Sequence, residues 1–330
     1  MRASRPVLLA GLLVATASAA SAQPQRGGAR NGPDSLGGGG GPWNANESNG
    51  PYVRLEGGGF VNEETVRTAR EVVSHSTGTP EWKNPRGFEK DAFIFARVVF
   101  RTVPDYTDGY NYGGHLGWWV DFPDADLNFS YRLQQLTTIR TDPDCRVLRL
   151  TDADLAEYPM IYTEHVEHMR LPDPQVDILR RYLLNGGVLF INDFWNSRSW
   201  AGFEAEMKRV LPGRNWNELA ADHPIFHCVF DLKGTMQSWQ VPTMQFWNRD
   251  FNPRDPDSVL QRRPRGPGSE NMRVRTWLDD KGRIMVIAIH NSDVSDGWER
   301  EGEDDAYFHT FSEKIAYPLG INIIFYLMTH

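Results

Sequence analysis

The alternation of apolar and polar positions is clearest over residues 171–195, where it predicts a helix followed directly by a strand. Apolar residues recur at helical spacing from Val176 to Leu183, and Asp173 is a suitable residue to cap that helix. Gly186 and Gly187 favour a left-handed end to the helix, so at least one of them should have a positive φ. The next four residues are wholly apolar, which is typical of a strand covered on both faces in a parallel sheet.

Similar patterns predict further strands and helices along the chain. The predicted strands cover residues 93–103, 145–150, 160–163, 188–191, 274–278 and 283–289, of which the last two form a hairpin. The predicted helices cover residues 62–74, 130–138, 203–211 and 315–328, in addition to the one before Gly186. Residues 223–273 contain many prolines and arginines, which indicates an irregular, β-rich insertion. Strands that alternate with helices predict an α/β fold with a mostly parallel sheet and helices on both faces.

The first fifty residues have the pattern of an exported protein. Residues 1–22 combine two arginines, a short apolar run and a small-residue cleavage site after Ala22, which indicates a signal peptide. Residues 23–50 are rich in glycine and asparagine and predict a flexible linker. A helical lead segment over residues 51–90 and the α/β domain over residues 91–330 should follow. We therefore expect a periplasmic or secreted protein, and no later segment reaches the roughly 20 apolar residues of a membrane span.

Charge and cysteine content narrow the classes of partner. The chain has 330 residues and a formal net charge of −8, with no run of basic residues. This balance argues against binding to nucleic acid or to anionic membrane surfaces. Cys145 and Cys228 are the two cysteines, and the sequence leaves open whether they form a disulfide or remain separate thiols.

Polar side chains follow several predicted strands, at the point where each strand ends. Asp121, Glu164, Asp193 and His290 should meet at the carboxyl edge of the sheet, where open α/β sheets bind their ligands. Asp193 and Asp121 are candidate bases and His290 a candidate acid or ligand. The candidate ligand-binding residues are Asp124, Asp126, Arg132, Glu164, Trp195 and Asn291.

Each candidate also has a structural interpretation. Asp121, Asp124 and Asp126 could bind a hard cation or act as acid and base, but they could equally cap a helix or pair with Arg132. Asp193 could cap the turn that follows it. A second set, His290, Asp293, Asp296 and Glu299, mixes imidazole and carboxylate groups as a transition-metal site does, although a solvated acidic turn has the same composition. A divalent metal is therefore the cofactor to test.

Ten short motifs together resemble those of a bacterial family, domain of unknown function 4159, over about residues 91–330. They are Phe95-Ala96-Arg97, Asp121-Phe122-Pro123-Asp124-Ala125-Asp126-Leu127-Asn128, Arg149-Leu150-Thr151-Asp152, Gly186-Gly187, Asp193-Phe194-Trp195, Asp222-His223-Pro224-Ile225-Phe226, Gly282-Arg283-Ile284-Met285-Val286, His290-Asn291-Ser292-Asp293, Gly297-Trp298-Glu299 and Gly320-Ile321-Asn322. The resemblance implies a flavodoxin-like fold similar to class I glutamine amidotransferases and trehalose-utilisation-type domains. It implies no activity.

The resemblance to amidotransferases does not extend to their nucleophile. Those enzymes have a cysteine on the turn after the strand that corresponds to residues 188–191, and here that turn carries Asp193. His165-Val166-Glu167 has the spacing of their His-x-Glu pair but follows a different strand, so we interpret it as a coincidence. Without a thiolate no acyl-enzyme can form from glutamine by that route. Glutaminase activity is therefore not expected.

Two functions remain consistent with the sequence. The first is an exported, non-catalytic domain that binds a polar small molecule, a glycan or an envelope protein. The second is a carboxylate- or metal-dependent hydrolase that uses the polar groups at the strand ends.

Overall fold

A seven-stranded sheet organises the computed structural model, which describes residues 51–55, 59–76, 78–87, 91–101, 117–255, 257–263 and 265–330. The predicted signal peptide and linker lie outside the described residues, as does most of the loop that precedes residue 117. No helix in the described part of the chain combines the length and apolar character that crossing a bilayer would require.

The described residues form nine strands. They are β1 (Tyr52–Arg54), β2 (Phe60–Asn62), β3 (Ala96–Val99), β4 (Arg146–Arg149), β5 (Met160–Glu164), β6 (Val188–Asn192), β7 (Trp216–Glu218), β8 (Arg273–Leu278) and β9 (Ile284–His290). β1 and β2 pair with each other, and the large sheet has the order β4-β3-β5-β6-β9-β8-β7. β3, β4, β5, β6 and β9 are parallel, whereas β8 is antiparallel to both of its neighbours. The five parallel strands therefore have the order 2-1-3-4-5 of flavodoxin-like folds.

Helices cover both faces of this sheet. They are α1 (Asp124–Leu136), α2 (Asp173–Leu184), α3 (Asn196–Val210), α4 (Asp296–Glu299), α5 (Asp305–Tyr307), a π-helix (Phe308–Ala316) and α6 (Tyr317–Thr329). Short 3₁₀ helices cover Ala69–Glu71, Leu155–Glu157, Val166–His168, Pro224–Phe226, Met236–Trp239 and Met244–Phe246. The Trp298 ring of α4 packs on Phe190, while Phe203 of α3 packs on Trp277. The strand register points Phe190 and Trp277 to opposite faces, so α4 and α3 lie on opposite sides of the sheet.

The unit formed by α2 and β6 follows the predicted pattern closely. The apolar stripe of α2 is buried, and Gly186 has a φ of 113°, which confirms the left-handed end of the helix. A Cβ on Gly187 would lie 2.3 Å from the Tyr182 ring, so the close approach of helix and strand also requires glycine here. The predicted cap is wrong, because Asp173 lies inside the helix and its carboxylate pairs with Arg209.

Several other predictions need correction. The helix predicted for residues 62–74 is wrong: the segment begins in β2, and main-chain bonds from Ala69 to Asp144 and from Val147 to Arg67 then attach it beside β4. Val73, which completed its apolar stripe, is 88% exposed. α1 and α3 begin six and seven residues earlier than predicted.

The region predicted as a β-rich insertion is irregular but contains little β structure. Within the described part of residues 223–272, the regular structure consists of three 3₁₀ helices and one isolated bridge, between Trp247 and Gln261. Prolines lack the N–H donor that a strand ladder needs, which explains why this segment does not extend the sheet. The β8–β9 hairpin is confirmed. Cys145 and Cys228 are separate thiols, and the Cys145 thiol lies 3.2 Å from the Ser130 hydroxyl.

Candidate functional site

Acidic side chains meet at the carboxyl edge of the parallel strands, next to the point where the strand order reverses between β3 and β5. Asp121 lies on the connection from β3 to α1, His165 follows β5, Asp193 follows β6 and Asp293 follows β9. Ligands of open α/β sheets bind in the crevice at this switch point. The order of the strands therefore places these groups where a ligand site is expected.

The acidic cluster comprises two overlapping triads of carboxylates. Oxygen atoms of Asp121, Asp193 and Asp293 all lie within 4.8 Å of one another, and the same holds for Asp121, Asp296 and Glu299. All five residues are buried, with exposed fractions of 4%, 3% and 3% for the members of the first triad. Asp121 belongs to both triads and is thus the centre of the cluster.

The backbone at this edge adopts left-handed conformations that L-residues seldom take. Asp121, His165, Asp193, Asn196 and Asn291 have φ angles of 58°, 49°, 47°, 73° and 63°. Such conformations cost of order 1 kcal/mol or more each and concentrate at functional sites. Here they turn the chain sharply after β5, β6 and β9, which brings the following side chains back over the strand ends.

Asp193 is held by two donors. His165 Nε2 lies 2.6 Å from Asp193 Oδ2, and Trp195 Nε1 donates to Oδ1 over 2.6 Å. Burial favours the neutral carboxyl, but the His165 charge, its hydrogen bond and the more distant Arg265 outweigh burial and lower the pKa of Asp193. Asp193 is therefore an ionised carboxylate. Its predicted role as a cap of the next turn is not observed, because the Asn196 side chain accepts the N–H groups of that turn.

His165 links Asp193 to Glu167. Its Nδ1 lies 3.2 Å from Glu167 Oε1, opposite the nitrogen that faces Asp193. Burial alone would lower the pKa of His165, yet Asp193 and Glu167 raise it well above its ordinary value. β5 and β6 are neighbours in the sheet, so this pair lies beside the turn after β6 although it follows β5 in the chain.

Asp293 is oriented in the same manner. Thr243 Oγ1 donates to its Oδ2 over 2.7 Å, and the Asp296 main-chain N–H donates to its Oδ1 over 3.1 Å. Burial, then Asp193 and Asp296, raises the pKa of Asp293 well above its ordinary range. Burial also raises the pKa of Asp121, with Glu164 the largest of several acidic neighbours that add to this effect. With all its members ionised, the cluster would therefore contain more negative charge than its surroundings compensate.

Asp121 Oδ2 is buried and has no hydrogen-bond partner among the described residues. The negative charge of the second triad is already compensated within the protein, because Arg300 Nε lies 3.0 Å from Asp296 and 2.7 Å from Glu299. His75 Nε2 lies a further 3.0 Å from Glu299. The negative charge that remains for a bound cation to compensate is therefore greater in the first triad, which comprises Asp121, Asp193 and Asp293.

Arg97 fixes the loop that carries Asp121. This fully buried guanidinium donates to Asp126, to Glu164 and to the carbonyl oxygens of Trp118 and Val120, the last two at 2.7 and 3.0 Å. Burial raises the pKa of Glu164 to about 7, although Arg97 opposes this effect. Asp126 and Glu164 thus help to fix the loop that carries Asp121, because both bind Arg97.

Other candidates lie outside the cluster. His290 points to the α3 face, where its Nε2 is 2.9 Å from the Asn196 carbonyl oxygen and burial lowers its pKa to about 3. β9 alternates its side chains between faces, so its last residue points away from the side on which Glu164 lies. Asp124 accepts from Ser74 and the His75 main chain. Arg132 pairs with Glu301, and Asn291 donates to the carbonyl oxygens of residues 268 and 271.

The donor set of the first triad suits a hard cation. Three carboxylates supply oxygen ligands, which Mg²⁺, Mn²⁺ and Ca²⁺ prefer, whereas the imidazole expected for a transition-metal site, His290, is directed elsewhere. Ligands at about 2.0–2.6 Å from one ion lie at most about 4–5 Å apart. The separations in the first triad satisfy that limit.

A cavity among the described residues lies at the opposite edge of the sheet. It has a volume of about 780 Å³ and is bounded by the first residues of β5, β6 and β9 and by the end of α6. Its charged groups compensate each other, since Arg283 pairs with Asp279 and Arg214 with Asp280. The buried carboxylates therefore mark a stronger candidate site than this cavity does.

Sequence reasoning missed His165, Glu167, Thr243 and Arg265, which all contact the site. His165 and Glu167 carried a signal, the His-x-Glu spacing, that only the strand order makes interpretable. Arg265 lies beside Trp195, with its guanidinium carbon 5.2 Å from the ring centroid, in a segment without a recognisable motif.

Comparison with known proteins agrees with the motifs. No curated protein matches the chain. The domain of unknown function DUF4159 matches residues 109–328, which is well over half of the sequence and includes all the carboxylates of the acidic cluster. The chain is therefore a member of the DUF4159 family.

Proposed function

We propose that this protein is a divalent-cation-dependent hydrolase whose centre is formed by Asp121, Asp193 and Asp293. The observation that carries the proposal is Asp121 Oδ2, a buried oxygen without a partner in the described structure, among carboxylates spaced as ligands of one ion. An unpaired buried charge is costly, and a bound cation removes that cost.

The surrounding residues support this function by holding the ligands. His165 and Trp195 orient Asp193, while Thr243 orients Asp293, as the outer partners of metal ligands usually do. A divalent cation at this position would polarise a bound oxygen and make water a better nucleophile. His165 holds a proton at Nε2 on the side of Asp193, so it keeps this carboxylate ionised and oriented toward the centre.

Metal titration tests the proposal directly. Full-length protein treated with a chelator should bind Mn²⁺ at one site by calorimetry, and Asp121→Asn should weaken binding at least tenfold. Asparagine tolerates left-handed conformations as aspartate does, so the φ of 58° can be kept while the charge is removed. Asp231→Asn, which removes an exposed carboxylate paired with Lys233, serves as the matched control. Equal Mn²⁺ affinity in Asp121→Asn and the wild type would contradict the proposal.

A cation-containing binding domain without turnover is the second candidate. It is favoured by the low exposure of the triad, 3–4%, which limits direct access of a large substrate to the carboxylates. Its ligand would be a polar small molecule, a glycan or an envelope protein. Hydrolysis of chromogenic phosphate and acetate esters by the Mn²⁺-loaded protein, lost in Asp121→Asn, would decide for the hydrolase.

We also propose that the protein is exported, on the strength of the residue pattern over residues 1–22. The mature chain should begin at Gln23. Mass spectrometry of protein from the periplasmic fraction measures this, and an intact N-terminus in the cytoplasmic fraction would contradict it.

A further inference from the structure

We propose that Arg265 binds an oxyanion, a phosphate or carboxylate group, on the molecule that is recognised at the Asp121–Asp193–Asp293 centre. The inference rests on the proposed cation at this centre and adds to it the chemical class of the ligand. It is carried by the position of Arg265, by its contacts and by a donor that the fold leaves unused.

The main chain around Arg265 is fixed to the carboxyl edge of the sheet. Asn196 donates its side-chain amide to the Arg265 carbonyl oxygen over 2.8 Å, and Ser197 N–H donates to the Pro267 carbonyl oxygen over 3.0 Å. Asn291 donates to the Gly268 carbonyl oxygen over 2.8 Å. Two of these donors, Asn196 and Asn291, are left-handed turn residues of the site itself. The main chain at Arg265 therefore has a fixed position relative to the acidic cluster.

The guanidinium of Arg265 lies close to two aromatic rings and to a residue that binds Asp293. Its carbon lies 5.2 Å from the Trp195 ring centroid and 5.5 Å from that of Phe246, and Nη2 donates to Thr243 Oγ1. Thr243 and Trp195 are also the residues that donate to Asp293 and Asp193. Two of the side chains that orient the proposed metal ligands therefore also position the arginine.

Charge compensation alone does not explain these contacts. Where arginines neutralise carboxylates in this protein they bond to them directly, as Arg97 does with Asp126 and Arg300 with Glu299. Arg265 makes no ion pair within 4.0 Å to a carboxylate of the described residues, and its buried Nε has no hydrogen-bond partner among them. Its charge acts on Asp193 and Asp293 from a distance, with donors still available.

A cation and an arginine next to each other select an anionic oxygen ligand. Guanidinium forms its strongest hydrogen bonds with phosphate and carboxylate oxygens, often through two parallel N–H groups. A hard divalent cation prefers the same oxygens. A ligand with one oxyanion could thus contact both, with the Trp195 and Phe246 rings beside the group to which the oxyanion is attached.

Calorimetry on the full-length protein separates this inference from the proposed function. Mn²⁺ binding is measured first, and inorganic phosphate and acetate are then titrated separately into the Mn²⁺-loaded protein. We expect at least one anion to bind the wild type. Arg265→Gln should weaken that binding at least tenfold and change Mn²⁺ affinity less than threefold. The anion that binds identifies the ligand as phosphate- or carboxylate-bearing.

Two further variants guard against misinterpretation. Arg263→Gln removes another arginine on the Phe246 ring, 5.3 Å from its centroid, and should bind the anion as the wild type does. Arg265→Lys keeps the charge but not the planar fork, and should give an intermediate affinity even if Arg265→Gln folds poorly. Mn²⁺ binding without anion binding, or equal anion affinity in wild type and both Arg265 variants, would overturn this inference alone. Failure to bind Mn²⁺ would overturn the proposed function and this inference with it.

Discussion

Glu164→Gln should change the pH dependence of stability in a direction that follows from the burial of this carboxyl. Glu164 is fully buried, accepts from Arg97 and lies 3.0 Å from the Tyr162 hydroxyl. Burial raises its pKa from the ordinary 4.5 to about 7. Glutamine has the same shape and can still accept from Arg97, so the substitution removes the titration while it preserves most contacts.

The sign follows from proton binding in the two states. Between pH 4.5 and about 7 the folded protein holds a proton on Glu164 that the unfolded chain has already lost. Raising the pH through this window therefore favours unfolding, and the free energy of unfolding of the wild type should fall. A difference of about 2.5 pH units corresponds to at most about 3–4 kcal/mol, at about 1.4 kcal/mol per unit. Below pH 4.5 and above about 7 Glu164 contributes no slope.

Urea unfolding at pH 4.5, 5.5, 6.5 and 7.5 in the presence of a chelator measures this effect, since the chelator excludes any contribution from bound cation. Asp293 also has a raised pKa, but it titrates in both proteins and cancels in the comparison. Removal of the Glu164 charge also lowers the pKa of Asp121, which changes the pH dependence in the same direction. The wild type should lose about 2–3 kcal/mol relative to Glu164→Gln across this range. Parallel stability curves for the two proteins would refute the reasoning.

Two further substitutions test the fold and the site. Gly187→Ala places a Cβ 2.3 Å from the Tyr182 ring and should lower the free energy of unfolding by about 1–3 kcal/mol, measured by urea unfolding; an unchanged midpoint would contradict the close approach. Asp193→Asn removes the charge that faces His165 and should cost about 2 kcal/mol of stability, because a buried charged hydrogen bond is lost. It should also lower ester hydrolysis by about two to four orders of magnitude, and full activity in this variant would exclude Asp193 from the chemistry.

Local sequence patterns predicted a helix or strand correctly where its structure depends on short-range geometry. The α2–β6 unit could be predicted nearly to the residue because its apolar spacing and its glycine pair both follow from short-range geometry. The sequence pattern placed the starts of α1 and α3 too late in the chain. Asp124 and Asp126 lie in the first turn of α1, where acidic residues favour the helix dipole, but in the sequence the same residues also suited a cation site.

Long-range arrangement determined the rest of the site. The carboxylates of the cluster come from connections after β3, β6 and β9, and only the order of strands in space shows that these ends meet. The same order makes His165 and Glu167 neighbours of Asp193. For His290 the decisive fact was strand register, because a shift of one residue would have pointed this side chain to the other face. A single sequence does not contain that information.

The position of β3 in the sheet has a consequence for where this domain can be cut. The DUF4159 match begins at residue 109, after β3 has ended. A chain that started there would leave β5 as a bare edge with unpaired main-chain groups, and would isolate β4 from the sheet altogether. Exposed edges of this kind pair with other molecules, so such a fragment should aggregate rather than fold. The cooperative unit therefore begins upstream of the segment by which the family is recognised.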